Sequence, residues 1–98
     1  MIIKAHIKGT LYDTMNRTMP NAYIISVMSD SDGIKKGMRS EYKVNDKGEY
    51  DFYLVGGYHK LYTLTDIDSV EKSVGLVHIT EAQDNRLFTL EEVIAKCK

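Results

Sequence analysis

Asn45-Asp46-Lys47-Gly48-Glu49-Tyr50-Asp51-Phe52-Tyr53-Leu54-Val55-Gly56-Gly57-Tyr58-His59-Lys60-Leu61 decides how the chain folds. Within it Tyr50, Phe52 and Leu54 fall on one face at period two, while Glu49, Asp51 and Tyr53 fall on the other. That alternation is the mark of a half-buried antiparallel strand. Asn45 to Gly48 has turn chemistry, with Gly48 free to adopt a positive φ. Gly56-Gly57 stands between strands over 49–55 and 58–64, and predicts a two-residue hairpin.

Working outward toward the N-terminus, Ile3, Ala5 and Ile7 alternate with Lys4, His6 and Lys8 in a first strand over 2–12, with Gly9 marking a bulge or bend. Asp13 to Pro20 is a turn or short loop. The residue before a proline is biased to extended geometry, so Met19 leads into a second strand. That strand, Ala22 to Met28, is apolar on both faces and belongs in the middle of a sheet. Ser29 to Gly37 is a polar excursion, and Met38 to Val44 returns as a more polar strand near an edge. Toward the C-terminus, Thr65 to Ser73 is a charged loop, Val74 to Thr80 a last strand, and Glu81 to Phe88 a connection. Thr89 then caps the one clear helix, with Glu92 completing a capping box. Short strands with turn signals about every ten residues predict an all-β fold, a small Greek-key sandwich of about seven strands with a short C-terminal helix.

The chain has 98 residues, 13 Lys and Arg against 14 Asp and Glu. That balance leaves no basic footprint for a nucleic-acid partner. No apolar run approaches the roughly 20 residues of a membrane span, and the opening Met-Ile-Ile-Lys-Ala-His meets charge too early for a signal peptide. Cys97 is the single cysteine, so no internal disulfide can form and a reducing cytosolic birthplace is expected.

Several constellations invite chemistry, and in each the plain reading is the stronger. Asp30, Asp32, Gly33 and Glu41 resemble a calcium loop, but an EF-hand needs its Gly at position six and an oxygen ligand at five. Here Gly is fourth and Ile34 fifth, so a solvated loop is expected. His6, His59 and His78 each sit in a strand; His6 and His78 would meet only if the first and last strands were neighbours, and no spacing supports zinc. Glu71 with Glu81, or Asp66 with Asp68, would need a cleft to act as an acid–base pair. No serine has a nucleophile-elbow setting, and Cys97 at a helix C-terminus is a poor nucleophile. The reading is of a non-enzyme with no metal and no cofactor.

Tyrosine is the more informative residue. Tyr58, Lys60 and Tyr62 share one face of their strand, with Tyr53 across the turn, and the four form a candidate docking or sugar-stacking platform. The competing reading places Tyr58 and Tyr62 in the core. On the helix, Leu90, Val93, Ile94 and Cys97 fall at i, i+3, i+4 and i+7, an apolar stripe. A helix of about nine residues is marginal alone. The stripe is suited to open a coiled coil in a longer protein, to pack on its own sandwich, or to do both.

The first strand with Gly9, the turn ending Pro20-Asn21-Ala22, Asn45-Asp46-Lys47-Gly48-Glu49-Tyr50 and Gly56-Gly57-Tyr58 resemble prealbumin-like domains, among them carboxypeptidase regulatory-like and collagen-adhesin B-type modules. Ile7-Lys8-Gly9-Thr10-Leu11, Gly57-Tyr58, Gly75-Leu76-Val77-His78-Ile79 and Leu87-Phe88-Thr89-Leu90-Glu91-Glu92-Val93-Ile94 are similar to the N-terminal domain of lambdoid-phage side tail fibres and tailspikes, with Phe88 where that family usually has Gly. The resemblance implies a prealbumin-like sandwich over 1–88 and a helix over 89–98 that starts a stalk or linker to an absent distal region. It further implies a virion-attachment role on a phage tail or baseplate protein, a homotrimeric parent, synthesis in the bacterial host cytoplasm and residence in the virion tail. A carbohydrate- or surface-binding accessory domain of a larger bacterial protein is the alternative. The isopeptide crosslink of adhesin modules is not expected, since Lys4 finds no Asn or Asp in Val74 to Thr80.

Overall fold

The computed structural model describes residues 2–65 and 70–97, with Lys36 described by its backbone alone. Seven strands form two sheets: β1 (Lys4–Thr10), β2 (Tyr23–Ser29), β3 (Lys35–Lys43), β4 (Glu49–Val55), β5 (Gly57–Leu64), β6 (Lys72–Ile79) and β7 (Leu87–Phe88). A 3-10 turn (Glu81–Gln83) precedes β7, and one helix, α1 (Leu90–Lys96), follows it. One sheet has the order β4-β1-β7 and the other β3-β2-β5-β6. The molecule is an all-β sandwich with one short C-terminal helix, as the strand pattern predicts.

The apolar rows set the packing. Ala5 and Ile7 of β1 and Tyr50, Phe52 and Leu54 of β4 face Ile24 of β2, Leu61 of β5 and Val77 and Ile79 of β6 in one buried cluster. Burying such rows is the main driving force of the fold, at roughly 25 cal/mol per Å² of apolar surface. The apolar second strand is central, between β3 and β5, and the polar β3 is an edge.

Three local expectations are corrected. Gly9 carries no bulge: it pairs with Tyr50 in unbroken register. It is glycine because a Cβ there would lie 2.8 Å from the Tyr50 hydroxyl. Gly56-Gly57 is not a hairpin, since β4 pairs with β1 while β5 pairs with β2 and β6. Gly56 still donates to the Ile3 carbonyl at 2.9 Å, and Gly57 turns the chain into the opposite sheet at φ +128°. The glycine pair marks a corner between layers. Within the predicted connection 81–88, β7 adds a short strand parallel to β1, pairing His6 with Leu87 and Ile7 with Phe88.

The helix is built into the sandwich. Thr89 accepts from the Glu92 amide while Glu92 accepts from the Thr89 amide, the predicted capping box. Leu90, Val93 and Cys97 are buried in the main core, and Ile94 packs against it. The stripe thus packs on the chain's own sheets. Ile94 settles over Gly75, where a Cβ would come within 3.0 Å of it.

A second apolar layer lies on the outer face of the four-stranded sheet. Tyr23, Ile25, Val27, Tyr62 and Leu64 cluster there, with Ile25 at 0% exposure although none of the described sheets or helices lies over it. Long side chains roof it: Arg39 of β3 pairs with Glu41 and with Glu71 ahead of β6, and the Lys35 ammonium lies 4.9 Å from the Tyr62 ring centre. Aliphatic stems of Lys and Arg cover apolar surface while their charges stay in water.

Candidate functional site

The predicted tyrosine platform does not assemble as one face. Tyr58, Lys60 and Tyr62 do share the outer side of β5, but Tyr53 lies on the outer side of β4, in the other sheet. Crossing between layers at Gly56 is what separates them. Tyr62 is buried in the second apolar layer. Tyr58 stacks on its cross-strand partner His78 with ring centres 3.9 Å apart.

What β4 and β1 build instead is a compact aromatic and charged patch. Tyr53 and His6 are directly opposite in the ladder and stack at 4.6 Å with planes 18° apart. The His6 Nε2 contacts the Asp51 carboxylate, and the Lys4 ammonium lies 5.2 Å from the Tyr53 ring centre. Tyr53 is 50% exposed, and Val55 and Leu87 add exposed apolar surface on the same side of the sheet. Such a patch offers contact area with few rotamers left to freeze, the property that makes tyrosine a frequent anchor at interfaces.

The histidines take three different environments. His6 and His78 lie on outer faces of different sheets and do not meet. His59 is buried between the sheets, with Nδ1 2.9 Å from the Ser26 hydroxyl and Nε2 2.8 Å from the Val55 carbonyl. A carbonyl can only accept, so Nε2 carries the proton and Nδ1 accepts from Ser26. Burial pushes the His59 pKa down, because the charged form loses hydration. The Ser–His contact is therefore a closed structural plug: both residues are buried, and both imidazole nitrogens are occupied.

The remaining constellations resolve similarly. Asp30 accepts from the amides of Asp32 and Ile34 and shapes its own turn, while Glu41 stands on β3 beside Arg39. Glu71 and Glu81 lie at opposite ends of the eight-residue β6. Asp66 and Asp68 fall outside the described residues. Among the described residues no group of three His, Cys, Asp or Glu side chains is placed to hold a metal ion. The Cys97 thiol is buried, which pushes its pKa up.

One cleft of about 420 Å³ opens between the 11–19 loop, the end of the four-stranded sheet and α1. Leu11, Met19, Val74, Leu90 and Ile94 give it an apolar floor, with Asp13, Thr63 and Lys72 at its rim. Asp13 already accepts from the amides of Met15 and Arg17 and from the Arg17 guanidinium, and the Arg17 amide is the main cause holding its carboxyl below the usual range. The cleft suits an apolar side chain better than proton-transfer chemistry. No known protein family matches the chain, and no characterised protein matches it in sequence.

Proposed function

We propose that this domain is a structural binding module that seats a phage tail fibre or tailspike on the tail, with a tail or baseplate protein as its partner. The observation that carries the reading is the patch around Tyr53: a half-exposed tyrosine held in place by His6, Asp51 and Lys4, on a rigid sheet rather than a loop. Sites on regular elements hold their geometry without ordering cost at the moment of binding. The order of elements, including the Thr89-capped helix after the last strands, supports the same reading by its resemblance to fibre N-terminal domains. Trimerisation of the parent would then rest on chain beyond this domain, because Leu90, Val93 and Cys97 are turned into the sandwich.

The test is competition for the virion. Fibreless particles of the parent phage are mixed with full-length fibre and increasing amounts of this domain, and recovered infectivity is counted. Infectivity falls in proportion to added domain, and Tyr53→Ala restores it. Unchanged infectivity, both with the domain alone and with a trimerised version, sinks the proposal. The half-exposed Tyr53 ring also favours a second reading, a sugar-stacking accessory module. Saturable glycan binding lost in Tyr53→Ala would select it.

A further inference from the structure

We infer that β3 is a self-recognition edge, through which two copies of this chain pair antiparallel about a two-fold axis at Ser40 and join their four-stranded sheets into one. The inference concerns the domain as it stands and does not depend on the tail-fibre reading.

Ladder phase decides which backbone groups of β3 face outward. The Val44 amide donates to the Ala22 carbonyl at 2.9 Å, and the β2–β3 register pairs Ile24 with Tyr42 and Ser26 with Ser40. In an antiparallel ladder every second residue bonds inward. Tyr42 and Ser40 therefore bond β2, whereas the N–H and C=O groups of Arg39, Glu41 and Lys43 point away from the sheet.

The other edges are partly occupied or short. On β4 the same phase argument turns Glu49, Asp51, Tyr53 and Val55 toward the open side. Three of these four receive a side chain: Asn45 Oδ1 takes the Glu49 amide at 2.8 Å, the Tyr42 hydroxyl reaches the Tyr53 carbonyl at 3.4 Å, and His59 holds the Val55 carbonyl. On β6 the His78 amide donates to the Cys97 carbonyl at the end of α1. β7 is two residues long. β3, at nine residues, is the longest of the described edge strands.

Its side chains are self-complementary about Ser40, in a register that pairs residues 37–43 of both copies; an axis at Tyr42 also opposes Glu41 with Lys43, but over residues 41–43 alone. With the axis at Ser40, Arg39 faces Glu41 of the second copy, and Glu41 faces Arg39, on the outer side. The four charges then alternate in sign around a ring. On the other side Met38, which is 81% exposed, faces Tyr42 of the second copy, and the contact is made twice. Moving the axis to Glu41 opposes Glu41 with itself and Arg39 with Lys43, and moving it to Arg39 opposes two guanidinium groups. Opposite charges directly across a ladder stabilise it and like charges destabilise it. An isologous interface of this kind closes on itself.

Sedimentation of the whole chain over a range of concentrations tests this, using two charge reversals, Arg39→Glu and Glu41→Arg, each confirmed folded by circular dichroism. The wild type is expected to dimerise with concentration, and the Arg39 and Glu41 amides to exchange more slowly in the dimer. Each reversal alone weakens dimerisation at least tenfold, because it places like charges across the axis. An equimolar mixture of the two variants restores it, since each reversed charge then meets its opposite. A wild type that stays monomeric at millimolar concentration overturns the inference, as does a dimer untouched by both reversals.

Discussion

The Tyr50 hydroxyl accepts the Leu90 amide at 2.7 Å across forty residues of sequence, so the first turn of α1 is tied to the start of β4. Gly9 makes room for that hydroxyl from the neighbouring strand, and the two positions work as one joint.

Tyr50→Phe leaves the buried Leu90 amide without its acceptor, a loss of about 1–3 kcal/mol. Gly9→Ala pushes the hydroxyl away and is expected to cost a similar amount. Burial raises the Tyr50 pKa to about 12. The unfolded chain therefore loses this proton first, near pH 10, and stability falls as pH rises from about 10 toward 12. Urea unfolding of wild type and Tyr50→Phe checks both points. Equal midpoints at neutral pH would show that the tie carries nothing.

His59 predicts the opposite pH dependence. Its folded pKa is lowered, so below about pH 6.5 the unfolded chain takes up a proton that the folded chain refuses. Stability is full above pH 6.5 and declines on acidification. In His59→Gln that component of the slope disappears, whatever the change in absolute stability. Chemical denaturation at pH 7.5 and 5.5 for both proteins reads it directly.

Leu90→Ala empties part of the main core and is expected to cost about 2–5 kcal/mol. The loss is independent of protein concentration, because the stripe packs within its own chain. A midpoint that shifts with concentration in the wild type but not in Leu90→Ala would return the stripe to an intermolecular role.

The two outer-face tyrosines should separate cleanly. Tyr53→Ala, at an exposed site, changes stability by less than about 0.5–1 kcal/mol. Tyr62→Ala opens the layer around Ile25 and costs about 3–5 kcal/mol. Thermal melts of the two variants decide this, and equal losses would contradict the separation of the faces.

Sequence periodicity carried the strands because burial has a period: Tyr50, Phe52 and Leu54 face inward as their spacing requires, and Thr89 with Glu92 cap a helix by chemistry local to four residues. What stayed hidden was non-local. Gly56-Gly57 announces a reversal but not which sheet each flank joins, so Tyr53 and Tyr58 look like neighbours in sequence and lie in different sheets. β7 is too short to show alternation and exists because β1 offers a free edge. Nothing around His59 in sequence shows that Ser26 and Val55, contributed by two other strands, occupy both of its ring nitrogens. The His6–Tyr53 pair was equally invisible, since only the β1–β4 register places those residues opposite one another.

The three side chains along β4 have a consequence for how many molecules can be joined. Asn45, Tyr42 and His59 each take up a backbone group on the β4 edge, so under the proposed β3 pairing that edge is less open to a further copy. A unit with a single adhesive side can form pairs and then stops, however sticky that side is. Opening β4 would raise the valence to two, and the same sheet would then propagate without limit. On the proposed pairing, the size of a self-assembly is limited by a strand that does not take part in it.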